Sequence, residues 1–221
     1  MIQQYDNMNE LENELIEEII TLLNHSIKTK GEATLLLSGG NTPKNLYQKL
    51  SLQNIEWDKV NVGLVDERFV DKESPLCNEK MIRDTLIQNQ ASKAKLTGML
   101  FEDNYERNLL SAKEQYKAFL QAEVLILGMG DDGHTASIFP NDPLSEIASK
   151  EVQTDLSNTN APSEPIKRIT LNKSFINECQ NVFLMFNGQN KGVVFEKSIE
   201  KGYPIHHFIP KLDAVYYAHN Q

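Results

Sequence analysis

The segment that runs from Gly128 to Pro140 contains the side chains best suited to acid–base chemistry. His134 stands two residues after Asp132, in a glycine-rich turn that follows a short apolar run. An imidazole titrates near neutral pH, and a neighbouring carboxylate fixes its tautomer and raises its basicity. A single histidine is more often structural than catalytic, but its position after a predicted buried strand favours catalysis here. We therefore predict that His134 is an acid–base residue and that Asp132 supports it.

The same segment also matches the glycine pattern G-x-G-x-x-G of dinucleotide-binding turns. Asp131 and Asp132 would stand where a pyrophosphate has to approach, and their negative charges oppose its binding. Pro140 and Pro143 leave no room for the long helix whose N-terminus would bind the pyrophosphate. We therefore interpret the segment as a glycine-rich loop that presents His134, and not as a nucleotide site.

A second glycine-rich turn, Ser-Gly-Gly-Asn-Thr-Pro at residues 38–43, separates an apolar run from a predicted helix. Backbone N–H groups that converge at a helix N-terminus commonly bind phosphate. The expected donors are the amides of Gly40, Asn41, Thr42 and Lys44, helped by the Thr42 hydroxyl. A tight turn with a helix cap is an equally good interpretation of this segment on its own.

Three basic residues are candidates for binding an anionic substrate. Arg68 ends the triplet Asp66-Glu67-Arg68 after a predicted strand, Arg168 opens another strand, and Lys191 begins a helix. A guanidinium can hold a phosphate with two hydrogen bonds, whereas a lysine ammonium acts as a point charge. Each residue taken alone is more often a solvated surface side chain, so the triplet by itself is weak evidence.

The overall charge limits the classes of partner. The chain of 221 residues has 22 Lys and Arg against 31 Asp and Glu, which is a formal net charge of −9. This balance argues against nucleic acids and anionic membrane surfaces as partners, because both attract proteins with surplus positive charge. A small anionic substrate is compatible with it, since a local group of basic residues can oppose the overall charge.

The remaining composition indicates a cytoplasmic protein. No apolar run is long enough for a membrane span, and the polar N-terminus is typical of neither a signal peptide nor a transit peptide. Cys77 and Cys179 belong to no C-x-x-C pair, which favours free thiols in a reducing compartment. None of the histidines has metal-ligand spacing, so we expect no bound metal. The oligomeric state stays open between a monomer and a small homo-oligomer.

Helix and strand signals alternate along the chain, with no repeat or linker that would divide it. The predicted strands are short apolar runs at residues 33–37, 60–65, 124–127, 168–171, 182–186 and 214–217. The predicted helices are one capped by Asn9 that extends to Leu23, one that opens at Thr42-Pro43, and three at residues 78–87, 105–120 and 192–201. This alternation predicts one α/β domain over residues 1–221, with a mainly parallel sheet covered on both faces. Ligands of such folds bind beyond the carboxyl ends of the strands, which the glycine-rich turns and the Asp66 triplet directly follow.

These segments, in this order, resemble the 6-phosphogluconolactonase family, which shares a superfamily with glucosamine-6-phosphate deaminase. The resemblance lies in residues 38–43, 65–70, 77–78, 127–140, 168–171 and 188–191. It implies a Rossmann-like three-layer α/β/α fold that uses no metal or cofactor. It also implies the hydrolysis of 6-phospho-D-glucono-1,5-lactone to 6-phosphogluconate in the oxidative pentose phosphate pathway.

The resemblance further implies roles for individual residues. The residues expected to bind the substrate are Gly39, Gly40, Thr42, Asp66, Arg168 and Lys191. The residues expected to act in catalysis are His134 as acid–base group, Asp132 as its support, and Arg68 facing the lactone.

The chain departs from the family pattern in a few places. Asp71 stands where the family usually has proline, Cys77 where it has serine, and Asn172 where it has threonine. None of these changes removes a group that the chemistry needs, although they alter the contacts near those positions.

Two alternatives to a lactonase are weighed against these residues. The deaminase counterpart of the histidine segment has a glutamate directly before the proline, where this chain has Phe139. Because phenylalanine cannot transfer a proton, the lactonase is favoured over the deaminase. A sugar-phosphate sensor without catalytic activity is the second alternative, and the presence of His134 with Asp132 argues against it.

Overall fold

The computed structural model describes residues 2–220 of the chain. The strands are β1 (Ile2–Tyr5), β2 (Ala33–Leu37), β3 (Val60–Leu64), β4 (Asp66–Arg68), β5 (Lys95–Leu96), β6 (Val124–Leu127), β7 (Leu156–Asn160), β8 (Lys167–Leu171), β9 (Asn181–Asn187) and β10 (Ala214–Ala218). The α-helices are α1 (Met8–Lys30), α2 (Lys44–Ser51), α3 (Asn78–Thr85), α4 (Tyr105–Tyr116), α5 (Pro143–Ala148), α6 (Lys173–Glu178), α7 (Gln189–Glu196) and α8 (Ser198–Lys201). Short 3-10 turns lie at Trp57–Lys59, Asn89–Lys93, Lys117–Phe119, Pro204–His207 and Ile209–Lys211.

The centre of the fold is a seven-stranded parallel sheet in the order β1-β10-β9-β6-β2-β3-β5. Helices cover both faces of this sheet, as the predicted Rossmann-like three-layer α/β/α fold requires. Its central strands β2 and β6 are almost entirely buried, which explains why they read as continuous apolar runs in the sequence. The predicted fold class is therefore confirmed.

The strand order places a crevice between β2 and β6. From β2 the chain builds outward through β3 and β5, and from β6 it builds in the opposite direction through β9 and β10. Loops that follow neighbouring strands on either side of such a switch diverge, and the gap between them is where ligands bind. The two glycine-rich segments follow β2 and β6, so the topology places both at this crevice.

A second, antiparallel sheet in the order β4-β8-β7 lies at the carboxyl edge of the first. Only Val65 separates β3 from β4, and this residue connects the two sheets through its backbone. Its N–H donates to the carbonyl of Leu37 at 2.9 Å, and its carbonyl accepts from the N–H of Leu171 at 2.9 Å. The strand predicted at residues 168–171 belongs to this second sheet, and β4 and β7 were not predicted because their residues are mostly polar.

Several predicted helix boundaries are wrong, among them the start of α2 at Lys44 and the ends of α3 at Thr85 and α4 at Tyr116. Asn7 caps α1, because its side chain accepts the N–H of Glu10 at 3.1 Å, so Asn9 is not the cap. The helix predicted at residues 192–201 begins at Gln189 and is interrupted at Lys197. Apolar spacing locates the middle of a helix well, but the ends depend on local hydrogen bonds.

No helix among the described residues combines the length and the apolar character that a membrane crossing requires.

Candidate active site

A cleft of about 350 Å³ opens at the carboxyl edge of the parallel sheet, where β2 and β6 separate. The structure brings all nine residues that the sequence predicts for the site into its wall: Gly39, Gly40, Thr42, Asp66, Arg68, Asp132, His134, Arg168 and Lys191. They come from five separate segments of the chain, and the convergence of the strand ends gathers them.

His134 and Asp132 form a hydrogen-bonded pair on one wall of the cleft. The Nδ1 of His134 lies 2.6 Å from Oδ1 of Asp132, and the His134 backbone N–H donates to the same oxygen at 3.1 Å. Burial disfavours the ionised carboxyl of Asp132, but the hydrogen bonds and charge of His134 outweigh it and lower the pKa of Asp132. A carboxylate bound to Nδ1 holds the proton on that nitrogen and leaves Nε2 as an acceptor. None of the described residues hydrogen-bonds Nε2.

The backbone around this pair is held in a tight turn. Gly133 adopts a positive φ of 75°, which favours glycine. The N–H of Gly130 donates to the carbonyl of His134 at 2.9 Å, and a Cβ at Gly130 would overlap the imidazole. The Thr135 hydroxyl donates to the carbonyl of Gly128 at 2.8 Å and ties the turn to the end of β6. Gly130 therefore allows close packing against the imidazole, and Gly133 allows the turn that presents it.

Phe139 contacts both the imidazole and one of the arginines. Its ring centroid lies 4.6 Å from that of His134, and the guanidinium of Arg168 lies 5.6 Å from the Phe139 ring centroid. Phe139 is 6% exposed and lines the cleft. The position is therefore an apolar spacer beside the histidine and supplies no titratable group.

The loop after β2 forms the opposite wall. Gly40 has a φ of 97°, and a Cβ at Gly39 would overlap the side chain of Asn78. The Thr42 hydroxyl donates to the side-chain oxygen of Asn187 at 3.3 Å. The Lys44 amide donates to the Asn41 carbonyl at 3.3 Å, so the prediction that this amide faces an anion is wrong.

Two helices begin at this wall, and neither has a capping side chain at its N-terminus. Helix α2 begins after Pro43 and helix α7 begins after Gly188, and neither preceding residue makes a side-chain cap. Lys191 lies in the first turn of α7 and reaches the cleft. The positive ends of the helix dipoles and the lysine charge therefore favour an anion here.

Arg68 and Arg168 form the cationic floor of the cleft. They lie opposite each other on β4 and β8. Arg68 donates from Nη1 to the carbonyl of Leu76 at 2.7 Å, and Arg168 donates from Nε to the carbonyl of Pro165 at 2.9 Å. Burial lowers the pKa of Arg168, and the charge of Arg68 adds to this while Asp66 opposes it. Among residues 2–220, no carboxylate forms an ion pair with Arg68, Arg168 or Lys191, so their charges are available to a ligand.

Asp66 connects strand β4 to the segment that contains His134. It is 7% exposed, and its Oδ2 accepts the hydroxyl of Ser137 at 2.5 Å. The Asn78 side chain donates to the Asp66 backbone carbonyl at 2.9 Å. Asp66 Oδ1 also lies 3.5 Å from the Asn78 amide nitrogen, so both carboxylate oxygens contact the protein while the residue lines the cleft.

Other residues of the wall were not assigned to the site from the sequence. They are chiefly Asn78, the segment 161–163, Met129 and Met185. Asn78 was part of a motif without a role, and its position at the start of α3 beside Gly39 gives it one. The segment 161–163 follows β7, whose polar sequence shows no strand signal, so no pattern could have placed it here.

The described residues contain no group of three or more His, Cys, Asp or Glu side chains arranged to hold a metal ion. The rings of His206 and His207 contact each other at a tilt of 38°, with centroids 3.8 Å apart. Neither belongs to the wall of the cleft, and His207 borders a separate cavity beside α5.

The fold and the cleft together define a Rossmann-like α/β protein with basic residues and a histidine in a cleft at the carboxyl edge of its sheet. The family model described as "Glucosamine-6-phosphate isomerases/6-phosphogluconolactonase" matches residues 6–216. The chain belongs to this family, which confirms the resemblance seen in the sequence.

Individual relatives agree with this assignment. The chain is 34% identical over 203 residues to a 6-phosphogluconolactonase of Helicobacter pylori, covering 91% of this chain and 87% of the relative. It is 32% identical over 209 residues to a 6-phosphogluconolactonase of Neisseria meningitidis, covering 91% and 90%. The crystal structure of a 6-phosphogluconolactonase from Shewanella baltica superposes with a TM-score of 0.92 at 31% identity, covering 100% of this chain and 97% of that one.

Proposed function

We propose that this protein hydrolyses 6-phospho-D-glucono-1,5-lactone to 6-phosphogluconate, a step of the oxidative pentose phosphate pathway. The observation that carries the proposal is the 2.6 Å contact between His134 and Asp132 in a cleft that also contains Arg68, Arg168 and Lys191. An acid–base group beside unpaired cations suits a neutral ester joined to a phosphate. The relatives named as 6-phosphogluconolactonases support the same substrate.

The phosphate of the substrate anchors it to the cationic part of the cleft. Lys191, the uncapped start of α2 and the guanidinium of Arg168 supply positive charge there. These interactions are equally strong before and during the reaction, so they contribute to binding and orientation. The surplus negative charge of the chain does not oppose this, because the cleft itself gathers cations.

The chemical step belongs to His134. Its Nε2 accepts a proton from a water molecule as that water attacks C1 of the lactone. The resulting tetrahedral intermediate breaks its bond from C1 to the ring oxygen, which takes the proton back from Nε2. Asp132 holds the imidazole in the required tautomer and stabilises its protonated form. Arg68 faces the oxygen that becomes negative and stabilises it.

We propose no metal or cofactor, because His134 with Asp132 supplies the proton transfer and Arg68 the charge stabilisation that the reaction with water needs. A lactone is an activated ester, and direct attack by water requires no covalent enzyme intermediate. We further propose that the protein acts in the cytoplasm, where its two thiols stay reduced.

An assay on freshly generated lactone tests the proposal. The lactone is generated in the assay by oxidation of glucose 6-phosphate. Its hydrolysis is then followed by proton release, and the rate is compared with that of spontaneous hydrolysis. We expect strong acceleration by the wild-type protein and a rate close to the spontaneous one for His134→Ala. Full activity of His134→Ala would exclude the role of the histidine, and no acceleration by the wild type would exclude the function.

The same preparation distinguishes the two alternatives. A glucosamine-6-phosphate deaminase would release ammonia from glucosamine 6-phosphate, and we expect none because Phe139 supplies no proton-transfer group beside His134. A sensor would bind 6-phosphogluconate without accelerating hydrolysis of the lactone.

A further inference from the structure

Glu67 is a fully buried carboxyl group that lies next to the cleft without lining it. Side chains alternate between the two faces of a strand, and in β4 the neighbours Asp66 and Arg68 both line the cleft. Glu67 therefore points to the opposite face of β4, towards the N-terminus of α3. The proposed reaction does not use it.

Both oxygens of Glu67 accept hydrogen bonds from the loop that follows β4 and from the start of α3. Oε1 accepts the backbone N–H of Arg68 at 2.8 Å and that of Asn78 at 2.7 Å. Oε2 accepts the backbone N–H of Glu79 at 2.7 Å and the thiol of Cys77 at 3.4 Å. One side chain thus binds the chain at both ends of the loop 69–77.

The residues on either side of this loop line the cleft. Arg68 precedes the loop and Asn78 follows it. The loop is also closed by the guanidinium of Arg68, which donates to the carbonyl of Leu76. Asn78 in turn contacts the segment around Gly39 on the opposite wall. A shift of the loop would therefore move a cation and an amide of the site together.

We propose that Glu67 is the positioning residue that holds Arg68 and Asn78 in place for the substrate. This inference rests on the proposed function, since it names a further residue needed for that reaction. Glu67 does not line the cleft and acts through the backbone of two residues that do.

A carboxylate is the group that this position requires. Four donors converge on its two oxygens, and a glutamine offers only one oxygen to them. In Glu67→Gln the amide nitrogen would face the donors at Glu79 and Cys77, leaving them without an acceptor. Burial raises the pKa of Glu67 to about 7, while the three backbone N–H groups act against this. The converging donors therefore stabilise the carboxylate against the cost of burial, and both of its oxygens are needed to accept them.

Glu123 offers a matched control at the far end of the sheet. It is also a buried carboxyl that joins two segments, since it accepts the N–H of Thr34 at 2.7 Å and the ammonium of Lys30 at 2.7 Å. It lies at the amino end of β6, away from the cleft. Glu123→Gln therefore reports the effect of removing a buried structural carboxylate without disturbing the site.

The test compares wild type, Glu67→Gln and Glu123→Gln in three measurements. These are the melting temperature, the KM and kcat for the lactone, and the dissociation constant of 6-phosphogluconate by calorimetry. We expect Glu67→Gln to raise KM and the dissociation constant at least about tenfold, as loss of one charged contact would. We expect both variants to lower the melting temperature by about the same amount. Glu123→Gln should nevertheless keep the wild-type KM and dissociation constant.

Two results would overturn the proposal. One is an unchanged KM and dissociation constant in a folded Glu67→Gln variant. The other is an equal loss of binding in both variants at equal loss of stability, which would make Glu67 merely structural. If Glu67→Gln fails to fold, Glu67→Asp keeps the charge but shortens the reach, and an unchanged dissociation constant there would count against the proposal.

The design separates this proposal from the function on which it rests. If the wild type does not hydrolyse the lactone, the proposed function fails. Binding of 6-phosphogluconate needs no turnover, so the comparison of dissociation constants still decides the role of Glu67.

Discussion

Arg68 and Arg168 lie directly opposite each other on the antiparallel strands β4 and β8. Like charges at such a position repel each other and destabilise a sheet. Arg168 is only 8% exposed, so water screens this repulsion poorly. The charge of Asp66 offsets part of this repulsion, and we expect an anionic ligand between the two guanidinium groups to relieve the rest.

Replacing Arg168 by methionine should separate binding from stability. We expect Arg168→Met to raise KM about 10- to 100-fold, because a hydrogen bond to a charged group contributes roughly 1.5–3 kcal/mol. The melting temperature should stay the same or rise, since burial and the charge of Arg68 already disfavour the guanidinium. Steady-state kinetics with the lactone measures KM, and thermal unfolding measures the melting temperature.

Arg107→Met is the control, because this arginine is exposed on α4 and is not part of the cleft. It should leave KM unchanged. An Arg168→Met variant with wild-type KM would place the phosphate elsewhere.

The carboxylate beside the histidine should control the rate of the chemical step. We expect Asp132→Asn to lower kcat about 100-fold or more, within the range of a general acid–base contribution, with little change in KM. The reason is that asparagine no longer holds the proton on Nδ1 as a charged partner does. Asp131→Asn alters the exposed neighbouring carboxylate and should keep the wild-type kcat, and equal rates in both variants would contradict the role of Asp132.

The same pair should contribute to stability in a pH-dependent way. The pKa of Asp132 in the folded protein is lowered from its ordinary value of 3.8. Its stabilising contribution is therefore fully present above about pH 4 and is lost as the pH falls through the lower folded value. When the pH is lowered from 7 to 3, the melting temperature of the wild type should fall by more than that of Asp132→Asn. Parallel pH dependence of the two proteins would show that the carboxylate is not stabilised by His134.

Two glycines of the histidine segment should differ sharply on substitution. A Cβ at Gly130 would overlap the imidazole of His134, whereas a Cβ at Gly128 meets open space. We expect Gly130→Ala to displace the ring and lower kcat much more than Gly128→Ala does. Gly128→Ala should also unfold at the wild-type temperature. A comparison of kcat and melting temperature for the two variants measures this, and equal kcat values would contradict the packing seen here.

Both thiols should be unreactive in the folded protein. Cys77 and Cys179 are each 1% exposed, and burial raises the pKa of both thiols to about 12. Because the thiolate is the reactive form, iodoacetamide at pH 7.5 should label neither residue before denaturant is added. Mass spectrometry of the labelled protein counts the modified thiols, and rapid labelling under native conditions would show that these residues are accessible.

Much of the fold could be predicted from local sequence. Strands β2 and β6 are runs of apolar residues, because both faces of a central parallel strand are buried. The glycine-rich turns that follow them were recognised by residue type, since close backbone approach and positive φ select glycine. Helix α1 was found by its spacing, although its cap was placed two residues late.

The second sheet could not be predicted in this way. Strand β4 has only three residues, all of them charged, and it exists because it pairs with β8 about a hundred residues away. The hydrogen bond from Ser137 to Asp66 likewise joins two segments that are distant in the sequence. Glu67, on the opposite face of the same short strand, binds the start of α3. No local pattern encodes such partners.

The residues available for the chemistry can be identified from local sequence, because they follow apolar strands whose carboxyl ends share one edge of a parallel sheet. How these residues pair is set by the fold: Arg68 faces Arg168, Asp132 binds Nδ1 of His134, and Phe139 contacts both His134 and Arg168. Burial along a strand is a local property of the chain, whereas a pair of side chains depends on the register and direction of strands that are distant in sequence.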